Sequence, residues 1–213
     1  MNCSEVCFRP AVKVGNLGLY YIANALPIEK TLSDLLMKNH VDVIIHANIL
    51  PSYIALKIAN KLHIPSIYDY LDHFPESASA YYSNNITQKL VHGLTFNIIK
   101  YNLNASTHIV TVCYTLRNII TDIIKDKKKI TIIPNGVDPQ LFKPIPTEKA
   151  RKKLNLDTYD HILLYYGSID TWLDFNALFK TIKNLQHTIG KIVLIIMGIS
   201  HNTTINHKLR EYI

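Results

Sequence analysis

Short β-branched runs alternate with stretches of helical periodicity along most of the chain. Residues 41–47 (VDVIIHA) form a compact apolar run and predict a buried strand. In residues 53–62 the apolar positions Ile54, Ile58 and Leu62 recur every four, which marks one face of a helix. Pro65 then blocks its continuation. Residues 66–70 predict the next strand, and 86–103 a long helix with Ile86, Leu90, Leu94 and Ile98 in register. Gly93 weakens that helix by about 1 kcal/mol relative to Ala. A strand at 108–113, a helix at 115–124 and a strand at 129–133 stopped by Pro134 follow. A run at 19–28 predicts one more strand, ending near Pro27. Strand, helix, strand at this spacing predicts an α/β fold, a Rossmann-like parallel sheet with helices on both faces. Strands that are apolar almost throughout suit cover on both sides.

The pattern changes after Phe142. Pro144 and Pro146 bracket a short stiff segment, and residues 148–153 begin a charged helix. A boundary here divides the chain into domains 1–143 and 144–213. Beyond it, residues 161–169 (HILLYYGSI) predict a strand, 174–185 a helix and 191–199 a second strand, followed by the opening of another helix. Two strands and one or two helices bury too little apolar surface to stand alone. The second segment is therefore expected to be the first part of a domain.

Composition narrows the setting. The chain has 213 residues, with 23 basic against 16 acidic side chains and a formal charge of +7. This balance suits an anionic partner, whether nucleic acid, a phospholipid surface or a phosphorylated small molecule, without choosing among them. The densest basic run, 125–129, is interrupted only by Asp126 and falls where a solvated turn is expected. Cys3, Cys7 and Cys113 make no disulfide framework, and no second ligand pair follows Cys3 and Cys7 to build a zinc site. Glu5 and Arg9 interrupt the start, so no secretory leader is expected, and apolar runs such as 192–197 are of strand length. A cytoplasmic setting, peripheral to anionic membrane, fits these features. Gly15 and Gly18 do not make a dinucleotide fingerprint, and Walker A, nucleophile-elbow and His-Glu-x-x-His motifs are absent. Aromatic residues do not interleave with basic ones, so no nucleic-acid partner is expected.

In open α/β sheets ligands bind beyond the carboxyl ends of strands. After the strand at 66–70, Asp69, Asp72, His73 and Glu76 crowd one strand end, where they can bond sugar hydroxyls or move a proton. Ordinary turn chemistry explains the same residues. After 129–133 comes Pro134-Asn135-Gly136-Val137-Asp138, in which Asn135 and Gly136 tolerate the positive φ of a sharp turn and Gly136 lets backbone approach a ligand. A tight turn leading out of the domain is the plainer account. After 161–169, Gly167 and Ser168 precede a helix start that suits a phosphate or ribose. Equally, Asp170, Thr171 or Asp174 is an N-cap there, and Trp172 packs on the sheet. Gly198 plays a similar part or simply ends its strand.

Taken in order, these segments resemble glycosyltransferase family four. The resemblance runs from 41–47 and 51–62 through Ile64-Pro65, Tyr68-Asp69-Tyr70-Leu71-Asp72 and 108–116. It is strongest at Ile132-Ile133-Pro134-Asn135-Gly136-Val137-Asp138 with Leu141-Phe142 and Pro144, and ends at Tyr165-Tyr166-Gly167. It implies a GT-B fold, two Rossmann-like domains facing across a cleft, with acceptor on the first and nucleotide-sugar on the second. It implies transfer to a glycan or lipid-linked acceptor with retention at the anomeric carbon, no metal and no cofactor, the nucleotide-sugar being substrate. On that pattern Asp72 and His73 are the catalytic candidates and Asp69 and Asp72 lie on the acceptor side. Asn135, Gly136, Gly167 and Ser168 lie on the donor side. Where the family carries Arg and Lys around the donor diphosphate, this chain has Ser168 and about Leu173. The form Gly-x-Ile-Asp-x-Trp-x-Asp-Phe is similar to a branch that includes teichuronic-acid-type transferases. The Gly-rich acceptor loop has no counterpart, and the acidic donor motif would fall beyond Ile213, so the chain is expected to be a fragment of the fold. A non-catalytic remnant binding glycan, nucleotide or a partner chain is the alternative. An epimerase of similar fold is disfavoured by the missing dinucleotide fingerprint.

Overall fold

The computed structural model describes residues 8–15, 17–80, 82–126, 129–169 and 173–198. Cys3, Cys7, Lys127, Lys128, Asp170, Thr171, Trp172 and the residues from Ile199 onward lie outside the described residues. The chain forms two compact units, Met1–Gly136 and Val137–Ile213. The division falls ahead of the break expected after residue 143. Their strands make two separate sheets.

In the first unit, helices α1 (Leu17–Ala23) and α2 (Ala25–Lys38) lead to β1 (Ile44–Ala47), α3 (Leu50–Lys61), β2 (Ser66–Tyr70) and α4 (Phe74–Ala80). Then come α5 (Asn85–Ala105), β3 (His108–Thr111), α6 (Tyr114–Ile124) and β4 (Ile130–Ile132). The expected strand at 19–28 is instead the α1–α2 pair. A short apolar run does not separate strand from helix by periodicity. Pro27 sits in the first turn of α2, where its missing N–H leaves no bond unmade. The buried Asn24 joins the two helices: its side chain accepts from Val12 N at 3.0 Å and donates to Val12 O and Tyr20 O, each at 2.9 Å.

The four strands are parallel in the order β1-β2-β3-β4. A monotonic order with crossovers of one hand places every connecting helix on the same face. The packing agrees. Tyr68, Tyr70, Ile109 and Ile130 point to that face and pack with Ile99 and Leu103 of α5 and Ile120 of α6. Ile44 meets Ile54 and Ile58 of α3 and Leu36 of α2 in a second cluster. The opposite face is not apolar throughout and is not buried. It carries the half-buried Ile67, Asp69, His108 and Val110, and Ile45 is 69% exposed.

Helix ends are closed by side chains. Asn84 caps α5 by accepting from Ile86 N and Thr87 N. Lys125 ends α6 in the left-handed region at φ 62. Lys129 is not a solvated turn residue: its ammonium donates to Leu103 O and Asn104 O at the C-terminus of α5, and partial burial lowers its pKa.

The second unit holds α7 (Thr147–Lys153), β5 (His161–Tyr166), α8 (Phe175–Ile189) and β6 (Ile192–Met197), with β5 and β6 paired in parallel. Tyr165 and Ile196 pack with Phe175 and Phe179 of α8. The other face, which bears Leu164 (60% exposed), Tyr166 (79% exposed) and Met197, is open to solvent. Gly190 ends α8 at φ 97, where a Cβ would lie 2.6 Å from Asp160 Oδ2, the atom that accepts from Lys191 N.

His46 is buried on β1 against the ring of Tyr68, bonded through Nδ1 to Ser52 Oγ at 2.9 Å. Burial lowers its pKa from 6.5 to about 4. The unfolded chain takes up this proton near the ordinary value while the folded imidazole resists it, so acid favours unfolding. The contribution is whole above about pH 6.5 and falls by about 3 kcal/mol as the pH drops through about 4. Urea unfolding of wild type and His46→Gln between neutral and mildly acidic pH checks this. The wild type is expected to lose more stability than the variant, and parallel losses would rule the assignment out.

Candidate functional site

The site in the first unit is built at the carboxyl end of β2. Alternation along the strand sends Tyr68 and Tyr70 to the helix-covered face and Asp69 to the open one. Asp69 is therefore not grouped with His73; it stands between Ala47 and Val110 on the other side of the sheet. The Tyr70 hydroxyl is 2.7 Å from His73 Nδ1. His73 Nε2 is 2.9 Å from Glu76 Oε2, and Glu76 Oε1 is 3.4 Å from His92 Nε2 on α5. Burial, with Tyr68, Glu76 and Asp72 nearby, pushes the Tyr70 pKa well up, so its hydroxyl keeps its proton. Tyr70 can then donate to Nδ1, which leaves the proton of the neutral imidazole on Nε2, facing Glu76.

Asp72 is exposed. Its Oδ1 accepts from His73 N at 2.7 Å, an arrangement that fixes the carboxylate at the strand end and matches the turn chemistry of Asp. Below this group a depression of about 390 Å³ is lined by His73, Phe96, Lys100, Ile119, Asp122 and Ile123. The sequence pointed to Asp72, His73 and Glu76 but gave no sign of Tyr70, which reaches His73 three residues on, or of His92, whose part arises from the packing of α4 on α5. It also gave no sign that residues 74–80 are a helix.

At the end of β4, Ile133 N donates to Thr111 O at 2.8 Å and prolongs the ladder. Asn135 and Gly136 are exposed, and neither has a positive φ, so the expected sharp turn is not there. A Cβ added at Gly136 would meet nothing within 4 Å. The turn comes later, where Leu141 N and Phe142 N donate to Asp138 O.

In the second unit the strand ends are closely joined. Gly167 N donates to Met197 O at 3.0 Å, and Tyr165 Oη donates to Ser168 O at 2.6 Å. Gly198 is held so near the Gly167 carbonyl that a Cβ would strike that oxygen and reach within 3.0 Å of Ile169 Cγ1. Gly198 thus has no room for a side chain at this strand end. Asp174 caps α8, accepting from Ala177 N at 2.9 Å. The Ser168 side chain is exposed and Ile169 is buried against Phe175. Among the described residues no three His, Cys, Asp or Glu side chains gather as a metal site, and no helix is long and apolar enough to cross a membrane.

The fold is shared with several solved structures. Anabaena HepE, solved in complex with UDP and glucose, superposes with a TM-score of 0.62 at 13% identity, covering 93% of this chain and 49% of that one. Sucrose-phosphate synthase from Thermosynechococcus elongatus gives 0.63 at 15% identity, covering 90% and 48%. UDP-GlcNAc 2-epimerase from Methanocaldococcus jannaschii gives 0.52 at 14% identity, covering 94% and 53%. The chain spans about half the length of these structures, and at such identities the likeness is one of fold. No curated protein matches in sequence. The family model described as Glycosyltransferase Family 4 matches residues 5–141, well over half of the chain. The chain belongs to Glycosyltransferase Family 4.

Proposed function

We propose that the chain contributes to transfer of a sugar from a nucleotide-sugar donor to a glycan or lipid-linked acceptor, with retention and without a metal. The observation that carries this reading is the family match over residues 5–141. Fold alone does not separate a transferase from the epimerase of similar shape, whereas the family match favours the transferase.

Asp72, exposed at the end of β2, accepts an acceptor hydroxyl in this reading. His73 has both ring nitrogens engaged, so it holds the strand end in place and meets an acceptor only by exchanging its Glu76 contact. Asp69, on the open face, supports the acceptor side from β2. On the donor side, the strand end at Gly167, with the exposed Ser168 beside it, meets a diphosphate or ribose, and Asn135 and Gly136, exposed in the first unit, are the remaining donor-side candidates.

A second reading is favoured by one feature. Residues 167–179 contain neither Lys nor Arg. A departing diphosphate needs positive charge or aligned N–H groups to carry its developing charge. A module that binds nucleotide or glycan without turnover fits a strand end that offers backbone alone.

Calorimetric titration of the purified chain with UDP-glucose and UDP-GlcNAc, followed by a donor-hydrolysis assay, separates the two readings. Binding with turnover that survives EDTA supports the transferase. Binding without turnover supports the module, and no binding contradicts the transferase and a nucleotide-binding module alike. Where turnover is found, Asp72→Ala is expected to lower it about a hundredfold while leaving donor binding intact; unchanged turnover would remove Asp72 from the site. Gly198→Ala drives β6 against the Gly167 carbonyl and is expected to lower both thermal stability and donor affinity. Gly136→Ala is expected to melt as wild type does, and circular dichroism with the same titration compares the two.

A further inference from the structure

Phe96 and Lys100, four apart on α5, share a depression of about 390 Å³ with Ile119, Asp122 and Ile123 of α6 and with His73. Pockets for small molecules span roughly 300–1,000 Å³ and are mostly apolar, with a few polar groups that set orientation. This depression has that make-up: one aromatic and two aliphatic side chains, two charges and an imidazole.

Two of its walls are tied to the core. The Phe96 ring lies nearly parallel to that of His92, with centroids 6.4 Å apart. His92 Nε2 is 3.4 Å from Glu76 Oε1, and the other oxygen of the same carboxylate holds His73. His73 in turn meets the hydroxyl of the buried Tyr70. One carboxylate therefore positions both the aromatic and the imidazole wall.

The two charges are unused. Among the described residues neither the Lys100 ammonium nor the Asp122 carboxylate has an ion-pair partner, and they do not pair with each other. Both are exposed, one on each helix. A ligand that answers both needs an anion at one edge and hydrogen-bond donors at the other. A pyranose ring supplies the rest: its C–H face lies on Phe96, Ile119 and Ile123, and its hydroxyls donate to Asp122. A neutral sugar leaves Lys100 without a counter-charge, whereas an acidic sugar satisfies both helices.

We propose that the depression between α5 and α6 binds an acidic sugar unit of the acceptor, carrying a carboxylate or a phosphate. Lys100 reads the anion, Asp122 the hydroxyls, and Phe96 the ring face. The proposal rests on the transferase reading, in which Asp72, next to His73, meets the acceptor, and it adds the chemical class of that acceptor.

Amide mapping of the full isotope-labelled chain tests it, with methyl β-glucuronide, glucose 6-phosphate and the neutral methyl β-glucoside as probes. At least one acidic sugar is expected to move the amides of Phe96, Lys100, Ile119 and Ile123 together and to bind about tenfold more tightly than the glucoside. Whichever acidic probe binds better tells carboxylate from phosphate. Lys100→Gln is expected to bring the acidic sugars down to the affinity of the neutral one, and Asp122→Asn to weaken all three about tenfold. Circular dichroism melts establish that each variant is folded, and either variant carries the test if the other is not. Unmoved amides, or a glucoside that binds as tightly as the acidic sugars, overturns the proposal. So does inorganic phosphate or free phenylalanine binding as tightly as they do, since the depression then reads an anion or a zwitterion rather than a sugar. A parallel titration with UDP-glucose keeps the two readings apart. Donor binding with a silent depression removes this proposal alone, and acidic-sugar binding without donor binding removes the transferase reading while upholding the sugar site.

Discussion

Two tyrosines side by side on the inner face of β2 hold the first unit's strand ends in place. Tyr68 and Tyr70 are fully buried, with ring centroids 5.6 Å apart. Large rings suit the middle of a four-stranded sheet, but each brings a hydroxyl that is costly to bury unpaired. The Tyr68 hydroxyl donates to Asn48 O at 2.7 Å, in the loop after β1 where Asn48 takes a positive φ. Burial pushes its pKa up to about 12, so it stays a donor. The Tyr70 hydroxyl reaches His73 in the loop after β2. Both loops are thus drawn to fixed points by groups buried in the core. Asn102 of α5 adds a tie to the first loop, donating to Ile49 O at 2.9 Å. The candidate acceptor side is therefore an extension of the core rather than a set of independent surface residues.

The second constraint is that both sheets are covered on one side. Parallel sheets normally carry cover on both faces. Here the first sheet turns Ile45 and the second turns Leu164, Tyr166 and Met197 to solvent. Among the described residues of the second unit, α8 packs on the strand pair through Tyr165 and Ile196. The solved structures that share this fold are about twice as long.

Much of the fold was legible because its signals are local. The strand at Ser66–Tyr70 is legible to the residue, since Pro65 bars a helix before it and Ile67, Tyr68 and Tyr70 suit a strand. The helix at Tyr114–Ile124 and the Asp174 cap follow from periodicity and side-chain chemistry within one turn. The α1–α2 pair was misread because its apolar run lacks a period, and what holds it, Asn24 to Val12, is a contact twelve residues apart. One-sided cover was illegible for a related reason. Apolar strands say that burial is favourable but not which face receives the helices; strand order decides that. At the site, Asp72, His73 and Glu76 were visible as a cluster. The separation of Asp69 follows from strand alternation, which the sequence contained but the cluster obscured. Tyr70 meets His73 only three residues away, through side chains that the cluster did not call attention to, whereas His92 depends on α4 packing against α5, a tertiary event.

The central claim is that this family member meets a nucleotide-sugar at the strand ends of its second unit. Amide chemical-shift mapping of the isotope-labelled chain on addition of UDP tests it most directly. The account predicts that the amides of Gly167, Ser168 and Gly198 move together and saturate. Unmoved amides there, or perturbations confined to α5 and the open sheet faces, would contradict it.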